Sequence, residues 1–192
     1  MLRSLCTCLV TLPLLWSPAR TQGHSVYLTP LLSVGSYHSL GFDNGLSFGA
    51  SLRFAIVDPL SVECSALFGT TSASFDLVGS TGAIDVRTAS YAATLVVRVL
   101  GHREGGELAA ALGGGAVVSS VDARIVSLGA LGSIAVPSRS ESRSFLTAGI
   151  SASLTIAPRI AIVTEPRVRF MTPVGSTGPD YHIAGGIRVA LF

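Results

Sequence analysis

Every second residue between Leu46 and Ile56 is apolar, and this alternation constrains the fold more than any other feature of the chain. The residues between them are small or polar; the apolar set is Leu46, Phe48, Ala50, Leu52, Phe54 and Ile56. Successive side chains of a strand point to opposite faces, so the segment has one apolar and one polar face. The same alternation recurs towards the end of the chain, which predicts an all-β protein.

The apolar content is high, but it is divided into short alternating segments. Hydrophobic residues make up 48% of the 192 residues and charged residues only 12%. No apolar run after the N-terminus approaches the roughly 20 residues that a membrane helix needs. This combination is typical of a transmembrane β-barrel, whose strands alternate between lipid-facing and lumen-facing residues.

The N-terminus has the pattern of a secretory signal peptide, predicted to span residues 1–23. Arg3 provides a positive start, an apolar stretch runs from Leu5 to Trp16, and small residues allow cleavage after Ala19 or after Gly23. The stretch is too short for a membrane anchor. Residues 24–192 are then predicted to form one barrel domain.

The predicted mature chain is close to neutral and has few cysteines. Removal of residues 1–23 leaves 11 arginines against 11 acidic residues, which gives no reason to expect nucleic acid as a partner. Cys64 is then the one remaining cysteine, so the pattern predicts neither an internal disulfide nor a cysteine metal site. Cys64 has the parity of the apolar set in its segment, so it is expected to be an inert small apolar residue.

Eight alternating segments predict an eight-stranded antiparallel up-and-down barrel. Their connections alternate in length, with the longer ones including 69–86 and 119–141, as in outer-membrane barrels with short periplasmic turns and long external loops. In the alternative prediction, residues 119–141 form another hairpin and the barrel has ten strands. The eight segments are about 24–37, 45–57, 60–68, 87–100, 108–118, 142–156, 159–171 and 181–192.

The charged residues within the predicted strands all fall on the polar parity. A lipid-facing arginine at the bilayer midplane costs about 2–4 kcal/mol, so these side chains are predicted to line the lumen. An eight-stranded barrel is only wide enough for side chains to fill, which favours an internal salt-bridge network over an ion path. In the alternative, the arginine excess gives a narrow pore with a weak anion preference. The residues are Arg53, Glu63, Arg98, Glu165, Arg167, Arg169 and Arg188.

The histidines offer an alternative function at the outer rim. Strands one and eight are neighbours in a closed barrel, so His38, Asp180 and His182 could approach one another there. A lipid-modifying enzyme needs a nucleophile and a base within hydrogen-bond reach. The pattern has low specificity, and polar residues at a membrane interface are the favoured interpretation. The sequence predicts no catalytic residues, no cofactor and no metal site.

The chain resembles the small outer-membrane β-barrels of the OmpA-barrel and OmpX-like families. The resemblance rests on the signal peptide, the eight alternating segments and the terminal Phe192, and it covers residues 24–192. It implies a bacterial outer-membrane location, and outer-membrane lipid and the assembly machinery as partners. In such families the assembly machinery recognises the terminal aromatic residue, here Phe192. The apolar set of a typical last strand shares the parity of that residue, whereas Leu191 and Val189 have the opposite parity to Phe192. The expected role is structural or in surface interaction, without enzymatic activity, and no external partner is indicated.

Overall fold

The computed structural model of the chain describes residues 26–77, 80–102, 105–127, 132–172 and 178–191. The predicted signal peptide, with both candidate cleavage sites, and the predicted assembly signal Phe192 lie outside the described residues.

Eight antiparallel strands form a closed barrel in which the first strand pairs with the last. A short 3-10 turn, His38–Leu40, joins the first two strands. The eight-stranded prediction is confirmed. The barrel strands are β1 (Val26–Tyr37), β2 (Phe42–Val57), β3 (Leu60–Leu77), β4 (Ser80–His102), β5 (Gly106–Val121), β8 (Arg139–Ala157), β9 (Ile160–Thr172) and β10 (Asp180–Ala190).

A separate hairpin occupies the connection between β5 and β8. Its strands, β6 (Arg124–Ser127) and β7 (Ser133–Val136), pair only with each other among the described residues. The alternative prediction was therefore right that residues 119–141 contain a hairpin and wrong that it enlarges the barrel.

The expectation of a loop at 69–86 was wrong. Strands β3 and β4 remain paired from Thr70↔Arg87 to Leu77↔Ser80 and form one long hairpin. This part of the chain is rich in Gly, Ser and Thr, which led to the loop prediction. Beyond the membrane a ladder needs no apolar face, so small polar residues can continue it.

The barrel is polar inside and apolar outside, as the alternation predicted. In the lumen Ser151 is fully buried and Glu165 is 1% exposed, whereas Phe48 and Leu112 on the outer surface are 67% and 66% exposed. Such large exposed apolar side chains require a lipid environment. No helix within the described ranges is long and apolar enough to cross a membrane.

The two ends of the barrel differ in their connections. At one end β2–β3 and β8–β9 are joined by two-residue turns, 58–59 and 158–159. At the other end lie the long β3–β4 extension and the β6–β7 hairpin. Since outer-membrane barrels have short periplasmic turns and longer extracellular segments, we assign the second end to the outside.

Candidate functional site

A cluster of six charged side chains crosses the lumen. All six are buried, with side-chain exposures from 1% to 9%. They come from five strands, which the closed sheet places around one centre. This ion cluster comprises Arg53, Glu63, Glu107, Glu165, Arg167 and Arg188.

Each arginine of the ion cluster reaches at least two glutamates. Arg53 Nη1 lies 2.6 Å from Glu107 Oε1, and Arg167 Nη2 lies 2.7 Å from Glu165 Oε2. Arg188 Nη1 lies 2.8 Å from the same Glu107 oxygen. Glu63 accepts from Arg53 at 3.1 Å and also contacts Arg167. The contacts therefore form one connected network.

Ser151 completes the network from β8. Its hydroxyl oxygen accepts a hydrogen bond from Arg53 Nη2 at 3.0 Å and lies 3.4 Å from Glu165 Oε1, to which it donates. A serine at this position satisfies a charged group on each side without adding charge. Because its side chain is short, it leaves room for the longer arginine and glutamate side chains.

The ion cluster is electrically balanced, with three arginines and three glutamates. Removing charges from water costs several kcal/mol per ion, which is offset only when each charge is paired and hydrogen-bonded. The connected arrangement pairs all six charges, and among the described cluster atoms the Nε of Arg188 is buried without a hydrogen-bond partner. The arrangement also fills the narrow lumen with side chains that hold one another in place.

Five of the seven lumen charges proposed from the sequence lie in this cluster. Arg98 is not part of the cluster, because its side chain contacts Asp58 at the periplasmic β2–β3 turn. Arg169 lies in the lumen but outside the cluster. The sequence reasoning missed Glu107 because it assigned this residue to the edge of a turn. Its parity, opposite to that of Leu108, was the signal that could have found it.

Aromatic contacts occupy the lumen on the external side of the cluster. The guanidinium of Arg169 lies 4.7 Å from the ring centroid of Phe145, a cation–π contact. A side chain at Gly115 would meet this ring, since an added Cβ would lie 2.8 Å from Phe145 Cζ. The glycine in β5 therefore makes room for the ring. His182 packs edge-on against Tyr37, with 5.0 Å between ring centroids.

The rim residues that suggested an enzyme are arranged differently from that hypothesis. Asp180 accepts hydrogen bonds from both the backbone N–H of Ser39, at 2.9 Å, and the Ser39 hydroxyl. This contact fastens the 3-10 turn to the start of β10. His182 lies in the lumen beside Tyr37, and no hydrogen bond joins it to Asp180 or to His38 within the part of the chain that the structure describes.

The external β3–β4 extension is fastened to the barrel through Asp43. The carboxylate of Asp43 accepts hydrogen bonds from the hydroxyls of Ser72 at 2.9 Å and Ser74 at 2.8 Å. These bonds stabilise the ionised form and lower the pKa of the fully exposed Asp43, which lies beyond the apolar belt. The extension is thus held beside the start of β2.

The β6–β7 hairpin contacts the same extension through Arg124. Its guanidinium bonds to the carboxylate of Asp85 at 3.2 Å and to the carbonyl oxygen of Ala83 at 3.0 Å. Beyond this anchor the hairpin is apolar and exposed, with Ile125 76% and Ile134 39% accessible.

Comparison with solved structures gives the same fold. The outer-membrane protein OprG of Pseudomonas aeruginosa is 8% identical with a TM-score of 0.59, the match covering 88% of this chain and 98% of OprG. Neisserial surface protein A is 15% identical with a TM-score of 0.57, covering 88% and 100%. The N-terminal barrel domain of Pseudomonas aeruginosa OprF is 11% identical with a TM-score of 0.51, covering 88% and 98%.

At the level of sequence, no protein family and no curated protein matches the chain. The structural likeness therefore concerns the fold. The closed sheet and the apolar outer surface identify a membrane-spanning β-barrel.

Proposed function

We propose that the protein is a closed, non-enzymatic outer-membrane barrel that presents external β-structure to a surface partner. The observation that carries the proposal is the exposed apolar β6–β7 hairpin, held on an extension of the barrel wall. The lumen supplies the stable support, and the external strands supply the contact surface.

The hairpin has the composition of a contact surface and not of a solvated loop. Residues 125–138 contain no charged side chain, and Ile125 is three-quarters exposed. A two-stranded hairpin alone is marginally stable in water. An exposed apolar segment of this kind marks an interaction site, because burial against a partner stabilises both its side chains and its strands.

The hairpin is held at a distance from the membrane. Ala83, which accepts the bond from Arg124, is four residues beyond Arg87, where the polar residues of β4 begin. At about 3.3 Å per residue this is roughly 13 Å along the strand. The anchor therefore favours contact with a partner outside the cell over contact with the protein's own bilayer.

The ion cluster supports a closed barrel over the alternative of a pore. The anion preference depended on an arginine excess in the lumen. The cluster has equal numbers of arginines and glutamates, and the further lumen arginine, Arg169, is the register partner of the buried Asp180. The rim enzyme is also less well supported, because Ser39 already uses the Asp180 carboxylate as a structural acceptor.

Cell attachment tests the proposal. A non-adherent Gram-negative strain expressing the wild-type protein should attach to cultured cells, or to other bacteria of the same strain, more than the vector control does. The Ile125→Asp/Ile134→Asp double variant should lose this gain, while Ser138→Asp, which adds a charge at the exposed base of the hairpin, should retain it. Surface labelling must show equal display. Attachment that is unchanged in the double variant, or absent in the wild type, would contradict the proposal.

A further inference from the structure

A groove of about 460 Å³ lies on the outer wall of the barrel, across β2 to β5, near the external edge of the apolar belt. Its apolar part is one row of register partners, Phe48↔Phe68↔Ala89↔Val118. The two phenylalanines are well exposed and form a wall. Ala89 and Val118 are half-buried and form the floor. The small side chain of Ala89 leaves the space between Phe68 and Val118 open.

The wall of the groove is held in position from the membrane side. The ring of Phe68 packs edge-on against Tyr91, with 6.0 Å between the ring centroids. Such a contact adds about 0.5–1.5 kcal/mol to the burial of the two rings. The groove is therefore a fixed feature of the wall and not a transient gap between mobile side chains.

The external end of the groove is polar. The next row of register partners is Leu46↔Thr70↔Arg87↔Ser120, and it brings one guanidinium and two hydroxyls together. Within the described residues, no hydrogen bond occupies the hydroxyls of Thr70 and Ser120. Arg87 contacts Asp122 at 2.9 Å, with both side chains about 70% exposed.

We infer that this groove binds an outer-leaflet lipid that carries a phosphate monoester. An acyl chain fits over Ala89 against the Phe68 wall, and the phosphate lies at Arg87, with the hydroxyls of Thr70 and Ser120 as further donors. An apolar pocket with a few convergent polar groups is the usual form of a small-molecule site. Arginine is well suited to the phosphate, because its planar donors bind two oxygens at once.

The neighbouring acidic residues are compatible with this assignment. An exposed ion pair such as Arg87–Asp122 contributes about 0–1 kcal/mol, so the guanidinium can turn to a phosphate at little cost. The other nearby carboxylate, Asp85, is already held by Arg124 at 3.2 Å. The inference is independent of the surface partner proposed above, since it concerns the membrane-facing wall.

Native mass spectrometry of the refolded protein in detergent tests the inference. Two probes with identical acyl chains are compared: phosphatidic acid, whose phosphate is a monoester, and phosphatidylcholine, whose phosphate is a diester capped by choline. Phosphatidic acid should be retained more strongly, and Arg87→Gln should weaken its binding about tenfold, as expected for the loss of a charge-assisted contact. Arg139→Gln removes an arginine of similar exposure that does not line the groove and should leave binding unchanged.

A second variant tests the apolar part of the site. Ala89→Leu fills the floor and should reduce binding of both lipids, and only barrels that keep the wild-type circular dichroism spectrum are compared. Equal retention of the two lipids by the wild type would overturn the inference. Equal losses in Arg87→Gln and Arg139→Gln would also overturn it, because binding would then follow net charge and not the groove.

Discussion

Arg53 of β2 and Glu107 of β5 form an ion pair of 2.6 Å, although β3 and β4 separate their strands in the sheet. The pair therefore spans the lumen and not the wall. Glu107 also binds Arg188 of β10 from the other side, so one carboxylate joins three parts of the barrel. This relationship explains how a narrow barrel accommodates many charges.

Loss of one glutamate from the ion cluster should strongly destabilise the barrel. Glu63→Gln keeps the side-chain shape but leaves Arg53 and Arg167 with fewer anions. Breaking a buried pair in this way costs about 3–5 kcal/mol. Denaturant unfolding in lipid vesicles measures the effect. The Glu63→Gln/Arg167→Gln double variant restores the charge balance, so its loss should be smaller than the sum of the two single losses. Additive losses would show that the two residues are not coupled.

The outer wall should reject a charge at the level of the bilayer. Leu112 is 66% exposed in the middle of β5, and Leu112→Arg should lower the free energy of unfolding by about 2–4 kcal/mol. Ser140→Arg introduces the same side chain at an exposed position at the external end of β8 and should change it by less than about 1 kcal/mol. Equal losses measured by urea unfolding in vesicles would mean that the lipid-facing surface is wrongly assigned.

Gly115 should tolerate no larger residue. An added Cβ would lie 2.0 Å from the carbonyl oxygen of Tyr91 and would also meet the Phe145 ring. Overpacking of this kind costs about 1–3 kcal/mol, so Gly115→Ala should unfold at lower denaturant concentration. Gly105 has no atom within 4 Å of its added Cβ, and Gly105→Ala is the matched control, with a change within about 0.5 kcal/mol. Similar unfolding midpoints for the two variants would contradict the packing described here.

The attachment of the β3–β4 extension should weaken in acid. Hydrogen bonds from Ser74 and Ser72 lower the pKa of Asp43 below its ordinary value of 3.8. Because the pKa is lowered in the folded state, the ionised Asp43 carboxylate stabilises the attachment fully above the ordinary value of 3.8. This stabilisation is lost as the pH falls through the lowered folded-state pKa. Hydrogen exchange of residues 71–74 should therefore increase, relative to the intrinsic rate, in strong acid. Asp43→Asn should show no such increase, and an identical acid response in both proteins would exclude Asp43 as the cause.

The membrane-spanning part of the fold was predictable, because lipid imposes the same alternation on every strand. Leu112 and Phe48 face lipid, as their positions in the alternation indicated. Arg53 and Glu165 have the opposite parity and face the lumen. Outside the bilayer this constraint ends. The paired strands at 69–86 carry small polar residues, and nothing in their pattern distinguishes a ladder from a loop.

The composition of the ion cluster was predictable only in part. Parity assigns a side chain to the lumen but not to a height along it. Arg98 shares the parity of Arg53, yet it lies at the periplasmic turn beside Asp58. Arg169 lies beyond the cluster against Phe145. The height depends on the stagger between strands, which sequence alternation does not determine.

Planar-bilayer recording of the refolded, purified protein tests the closed lumen most directly. The balanced cluster of Arg53, Glu63, Glu107, Glu165, Arg167 and Arg188 predicts no stepwise conductance above the bare membrane in concentrated KCl. A steady, voltage-independent conductance from correctly folded wild-type protein would show that ions pass the cluster, and would contradict the account.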